Sequence, residues 1–181
     1  MKKLVIVSAL AAVFGSVGMA QAASTGTITF NGKLTATTCE VMVDGQTADA
    51  LVTLPTVGTN QLTTAGDTAG QTGFNMALSN CEGTLKTASA FFESGASVDL
   101  VSGRLKNMTG DATNVSLQLR DASDASQKVI KAGNSNQTTE TTYVDISSGS
   151  ANLPYSVEYY AEGATTAGTV ASNVIYSIQY K

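Results

Sequence analysis

Residues 23–39 read ASTGTITFNGKLTATTC, and the way this stretch is used decides the architecture. Ile28, Phe30 and, past Gly32, Leu34 fall on one side of an extended chain, while Thr27 and Thr29 fall on the other. Apolar and polar residues alternating at period two mark a half-buried strand. The sixteen residues from Ala23 to Thr38 would extend over roughly 50 Å, whereas an ordinary strand covers about 17–20 Å. The stretch therefore holds more than one strand, with Asn31-Gly32 as its natural break. Ala23 to Phe30 becomes a short ribbon whose apolar face needs a partner. That partner is either its own domain, through a type I′ hairpin at Asn31-Gly32, or another chain.

Upstream lies MKKLVIVSALAAVFGSVGMAQAA. Lys2 and Lys3 form a positive n-region, Leu4 to Val17 an apolar run, and Ala20-Gln21-Ala22 an A-x-A cleavage site. Residues 1–22 are expected to be a secretory signal peptide. The run is short for a membrane span and is broken by Gly15, Ser16 and Gly18. The expected organisation is a signal at 1–22, an N-terminal extension at 23–31 and one domain at 32–181. Without Lys2 and Lys3, eight basic residues stand against fourteen acidic ones, a net charge of −6. With two arginines and no basic cluster, nucleic acid is an unsuitable partner.

Cys39 and Cys81 are the two cysteines, and in an exported chain they read as one disulfide. Around them, strand-like alternation recurs between turn signals. Ala50, Val52 and Leu54 precede Pro55, and Phe74, Met76 and Leu78 precede Cys81. Val98 and Leu100 lead to Gly103, while Val115, Leu117 and Leu119 lead to Asp121–Asp124. Tyr155, Val157 and Tyr159 precede Gly163, and Val174, Tyr176, Ile178 and Tyr180 close the chain. Short strands with polar turns indicate an all-β sandwich. Residues 60–70 are expected to be loop or irregular strand, and 131–142 an exposed loop or edge ribbon. A final amphipathic strand with nothing after it but Lys181 leaves an edge that pairing must manage.

The chemistry of catalysis is missing. There is no histidine, which removes the Ser–His–Asp and Cys–His arrangements and the usual imidazole metal sites. Both cysteines are committed to the disulfide, and Glu82, Glu93 and Asp99 are separated by turns and strands. No P-loop, dinucleotide fingerprint or EF-hand loop occurs. The chain is read as a non-enzyme with no cofactor and no metal. Phe91-Phe92 and Tyr159-Tyr160 are read as core and edge packing in preference to a sugar-binding surface.

Several stretches in fixed order resemble the major subunits of chaperone–usher fimbriae of the type 1-like group. They are GTITFNGKLTATTC at 26–39, VTLPTVGTNQL at 52–62, AGQTGFNMALSNC at 69–81, LPYSVEYYAEGATTAG at 153–168 and the terminal VIYSIQYK. The resemblance implies an incomplete immunoglobulin-like β-sandwich that lacks its final strand, with an N-terminal donor-strand arm. It implies a structural subunit that polymerises by donor-strand exchange into the shaft of a surface fimbria. The donor residues would be Gly26, Ile28 and Phe30. The acceptor groove would be walled by Leu34, Ala36, Val174, Tyr176, Ile178 and Tyr180. Implied partners are identical subunits, a periplasmic chaperone touching Tyr180 and Lys181, an outer-membrane usher, and a tip adhesin or adaptor, with no membrane insertion. The route would run through the periplasm to the cell-surface fimbrium. The alternative reading is a minor, adaptor or glycan-binding pilin at or near the tip.

Overall fold

A computed structural model describes residues 26–32, 34, 36 and 38–181. The expected signal peptide, residues 23–25, and Lys33, Thr35 and Thr37 lie outside the described residues. The chain divides into two units, residues 1–33 and 34–181. In the first, residues 26–32 form neither helix nor ladder and are exposed. The Asn31-Gly32 hairpin is therefore not formed among the described residues.

The second unit is all-β apart from short turns of helix. Its strands are β1 (Thr38–Val43), β2 (Thr68–Glu82), β3 (Thr87–Phe92), β4 (Leu105–Lys106), β5 (Val115–Asp121), β6 (Val129–Ile130), β7 (Val144–Asp145), β8 (Ala151–Ala161) and β9 (Tyr176–Tyr180). One sheet runs β1-β2-β8-β5-β4, with β6 also on β5, and the other runs β7-β3-β9. Every pairing is antiparallel. The larger sheet is built on the alternations expected from the sequence. Met76 and Leu78 of β2, Leu153, Tyr155 and Val157 of β8, and Leu117 and Leu119 of β5 are buried in one core.

The facing sheet answers with Ala88, Ala90 and Phe92 of β3, all buried. Alanines opposite large side chains let the two layers close at native density. Phe92 meets Tyr155 edge to face, with ring centroids 5.2 Å apart. The Tyr155 hydroxyl accepts a hydrogen bond from the Ala90 backbone N–H at 2.9 Å. A core tyrosine thus satisfies a backbone donor that the ladder leaves over.

Three expectations differ from the structure. Val98 makes only an isolated bridge to Leu105, and Leu100 is exposed at a turn. The Asp99 carboxylate accepts from Val101 N–H and from the Ser102 N–H and hydroxyl, which bends the chain before a strand can form. Residues 131–142 are not simply an exposed loop, because α1 (Gln137–Glu140) lies within them and buries Gln137. The Gln137 amide accepts from Phe92 N–H and donates to Phe92 C=O, at 2.9 and 3.0 Å, supplying the pairing β3 lacks there. Finally, residues 50–54 join no ladder.

Candidate functional site

That unpaired segment forms one wall of a groove, and the chain leading into β9 forms the other. Two cavities lie along it. One, of about 340 Å³, is lined among others by Leu51, Val52, Leu54, Phe92, Val174 and Tyr176. A second, of about 480 Å³, is lined among others by Val57, Leu62, Val115, Tyr159 and Val170. Val52, Leu54 and Val57 on one side, with Val170 and Val174 on the other, make the surface chiefly apolar.

The backbone explains why the groove stays open. Along 169–175 the odd residues bond away from it. Thr169 C=O accepts from Ala112 N–H, Ala171 C=O from Met108 N–H, and Ile175 C=O from Glu93 N–H. The Asn173 carbonyl accepts from the Ser97 hydroxyl. The same parity continues through β9 to Lys181, which exchanges two hydrogen bonds with Thr87. Successive residues of an extended chain present their N–H and C=O groups to opposite edges. The even residues 170, 172 and 174 therefore turn theirs toward the groove, where none has a partner among the described residues. Across the gap, no backbone group of residues 52–57 has a hydrogen-bond partner among the described residues either. Two facing, unpaired backbone edges above an apolar floor are what a missing strand leaves behind.

Among the described residues, bonds cross the gap only at its ends. The Tyr176 hydroxyl donates to Ala48 C=O at 2.8 Å. At the other end the Thr165 N–H and hydroxyl donate to Leu62 C=O at 3.1 and 3.0 Å. Burial, and then the Asp49 carboxylate, push the Tyr176 phenol above its ordinary pKa. The Ser172 hydroxyl is buried beside the cavity with no hydrogen-bond partner among the described residues. Among the described residues no group of three or more His, Cys, Asp or Glu is placed to hold a metal ion. Nor is any described helix long and apolar enough to cross a membrane.

The residues singled out from sequence fall in different places. Cys39 and Cys81 are bonded, with Cα atoms 4.1 Å apart. Val174 and Tyr176 line the first cavity. Ile178 and Tyr180 pack half-buried against the core beyond it. The Tyr180 hydroxyl accepts from Cys39 N–H at 3.0 Å. Leu34 and Ala36 are exposed and line neither cavity; residues 48–57 stand where they were expected. A signal for that wall is Pro55 directly after the alternating run, since proline cannot donate to a ladder. The Lys181 carbonyl accepts from Lys86 and Thr87 N–H, and its ammonium lies 3.6 Å from the centroid of the Tyr143 ring. Ile28 and Phe30 are 77% and 87% exposed, and a Cβ added at Gly26 would meet nothing within 4 Å among the described residues.

The family model for the type-1 fimbrial protein, A (FimA), matches residues 54–181. The chain belongs to the type-1 fimbrial protein family. The major fimbrial subunit SMF-1 of Stenotrophomonas maltophilia is 42% identical over 90% of this chain and 96% of that one. The type-1 fimbrial protein A chain of Escherichia coli K12 is 29% identical over 99% of this chain and 98% of its own length. In fold, the P pilus rod subunit PapA is similar, with a TM-score of 0.60 at 17% identity over 79% of this chain and 99% of that one. This type-1 fimbrial protein is a structural subunit of the shaft, exported to the cell-surface fimbria. Its fold is the incomplete immunoglobulin-like sandwich of pilins, which gives the open groove its meaning.

Proposed function

We propose that the subunit polymerises by strand addition, residues 23–31 of one copy filling the groove of the next. The observation that supports this most is the pair of unpaired backbone edges, at 170–174 and 52–57, facing each other across an apolar cavity. A strand laid between them would satisfy both edges with main-chain hydrogen bonds, and side chains on one face would supply register. The arm has that form: Ile28 and Phe30 alternate with Thr27 and Thr29, and both apolar side chains are exposed. Gly26 carries no side chain, so the backbone comes close to the floor at that position. Residues 1–22 would be removed on export.

Before assembly the same apolar groove is an aggregation hazard. A periplasmic chaperone that lends a strand, with contacts to Tyr180 and Lys181, would protect it. An outer-membrane usher would be the place of exchange, and a tip adhesin or adaptor would cap the shaft. Deleting residues 23–31 tests the reading. The shortened subunit is expected to accumulate folded in the periplasm, with its disulfide formed, yet to be absent as a donor from sheared fibres. Intact fibres built from the deleted chain would overturn it.

A further inference from the structure

We infer that Asn31 is a site of spontaneous covalent modification, where the side-chain amide is lost and aspartate or isoaspartate takes its place. The chemistry needs only the chain and water. The backbone nitrogen of Gly32 attacks Cγ of Asn31, the Cγ–Nδ2 bond breaks, and ammonia leaves with the proton which that nitrogen gave up. A five-membered succinimide remains. Water then opens it at Cγ to give aspartate, or at the main-chain carbonyl to give isoaspartate, in which the chain runs on through the side-chain carboxyl.

Asparagine is among the thermally labile side chains, and two conditions govern where it reacts. The attacking nitrogen must be uncrowded, and no ladder or helix bond must hold the chain away from Cγ. Asn31 is the one asparagine followed by glycine, which leaves the nitrogen unshielded and the backbone permissive. A Cβ added at Gly32 would meet nothing within 4 Å among the described residues. Both residues are exposed, and neither belongs to a helix or a ladder.

The competing sites each lack a condition. Asp44-Gly45 has the glycine, but its residues are set at positive φ, 49° and 70°, in the turn after β1. That turn is tied to β2: Asp44 N–H donates to Asn75 C=O at 2.8 Å, and the Asp44 carboxylate accepts from Asn75 N–H at 2.7 Å. A carboxylate is also a poorer electrophile than an amide. Asn134 is followed by Ser135, and its amide oxygen accepts from Asn136 N–H at 2.9 Å.

Position gives the reaction its consequence. Asn31 ends the arm, and Gly32 begins the run into the domain. In an extended arm residue 31 falls on the side of Thr27 and Thr29, opposite Ile28 and Phe30. The aspartate product therefore adds a negative charge and leaves the apolar face as it was. Isoaspartate instead inserts one carbon into the main chain between arm and domain, and the link cannot revert to its original form.

The test incubates the full exported chain and follows the tryptic peptide ending at Lys33 by mass spectrometry. That peptide should gain the mass difference of an amide turned to an acid, with isoaspartate, identified by electron-transfer fragmentation, as the larger product. The gain should accelerate as pH is raised, because the attacking nitrogen must give up its proton. Asn134 should keep its mass and Asp44 its linkage over the same period, as controls in the same sample. Gly32→Val crowds the nitrogen and should all but abolish the gain; the pH series on the unaltered chain serves if that variant is not recovered. A peptide of unchanged mass, or one that changes no sooner than the segment holding Asn134, would overturn the inference. Strand addition is read from fibres and stands or falls separately.

Discussion

Truncating Phe30 separates the subunit's own stability from that of its junction with a neighbour. In the free chain the ring is 87% exposed, so Phe30→Ala should leave the melting temperature of the monomeric subunit within about 1 °C. In a fibre the same ring would be buried in the groove of the next subunit. Burying a Phe side chain contributes about 1.5–3 kcal/mol by transfer alone, and Phe→Ala in a closed core costs about 3–5 kcal/mol once the cavity is counted. The groove's cavities, about 340 and 480 Å³, are large enough to receive the ring. Taking about 3 kcal/mol, the junction should weaken by a factor of roughly 150. The assay is depolymerisation of sheared fibres in graded denaturant, compared with thermal unfolding of the monomer. Fibres of Phe30→Ala as resistant as wild type would refute the reasoning, and so would a monomer that loses several degrees.

Two further substitutions probe the domain itself. Cys39→Ser opens a loop of 42 residues, for which chain entropy assigns about 4 kcal/mol, so recoverable periplasmic subunit should fall sharply; undiminished yield would count against a structural role for the bond. Tyr155→Phe preserves the ring contacts with Phe92 and Phe74 but leaves the Ala90 N–H buried and unpaired. It should destabilise the domain by about 1–3 kcal/mol in equilibrium unfolding, and an unchanged midpoint would show that the donor finds another acceptor.

Where the sequence alternates strictly between two flanking strands, it was readable, as in Phe74–Leu78, Val115–Leu119 and Tyr155–Tyr159. Those strands sit inside the larger sheet, and the one face packed on the apolar core imposes period two on them. β3 was not anticipated because TASAFF carries small residues where its partner sheet is bulky, so its core face holds Ala88 and Ala90 in place of large apolar side chains. Gln137 was hidden for another reason: a buried amide standing in for a strand has no signature in a polar loop. The groove was legible only in part. Val174 and Tyr176 lie on a clear amphipathic run, whereas 48–57 alternates in part like a strand and forms no ladder, because under the strand-addition reading its partner comes from a neighbouring copy.

The bond between Cys39 and Cys81 also decides how a pulled fibre bears its load. Under the strand-addition reading, tension leaves a subunit through the chain just before β1, an edge strand held on one side only by β2. Without the crosslink, force would peel that edge away one hydrogen bond at a time and then unravel residues 40–80. With it, the pull passes from residue 39 straight to residue 81 at the end of β2. Because β2 lies between β1 and β8, it can yield only by shearing many bonds at once. The bypassed segment includes the wall at 48–57. A stretched subunit therefore keeps its grip on the neighbour it carries.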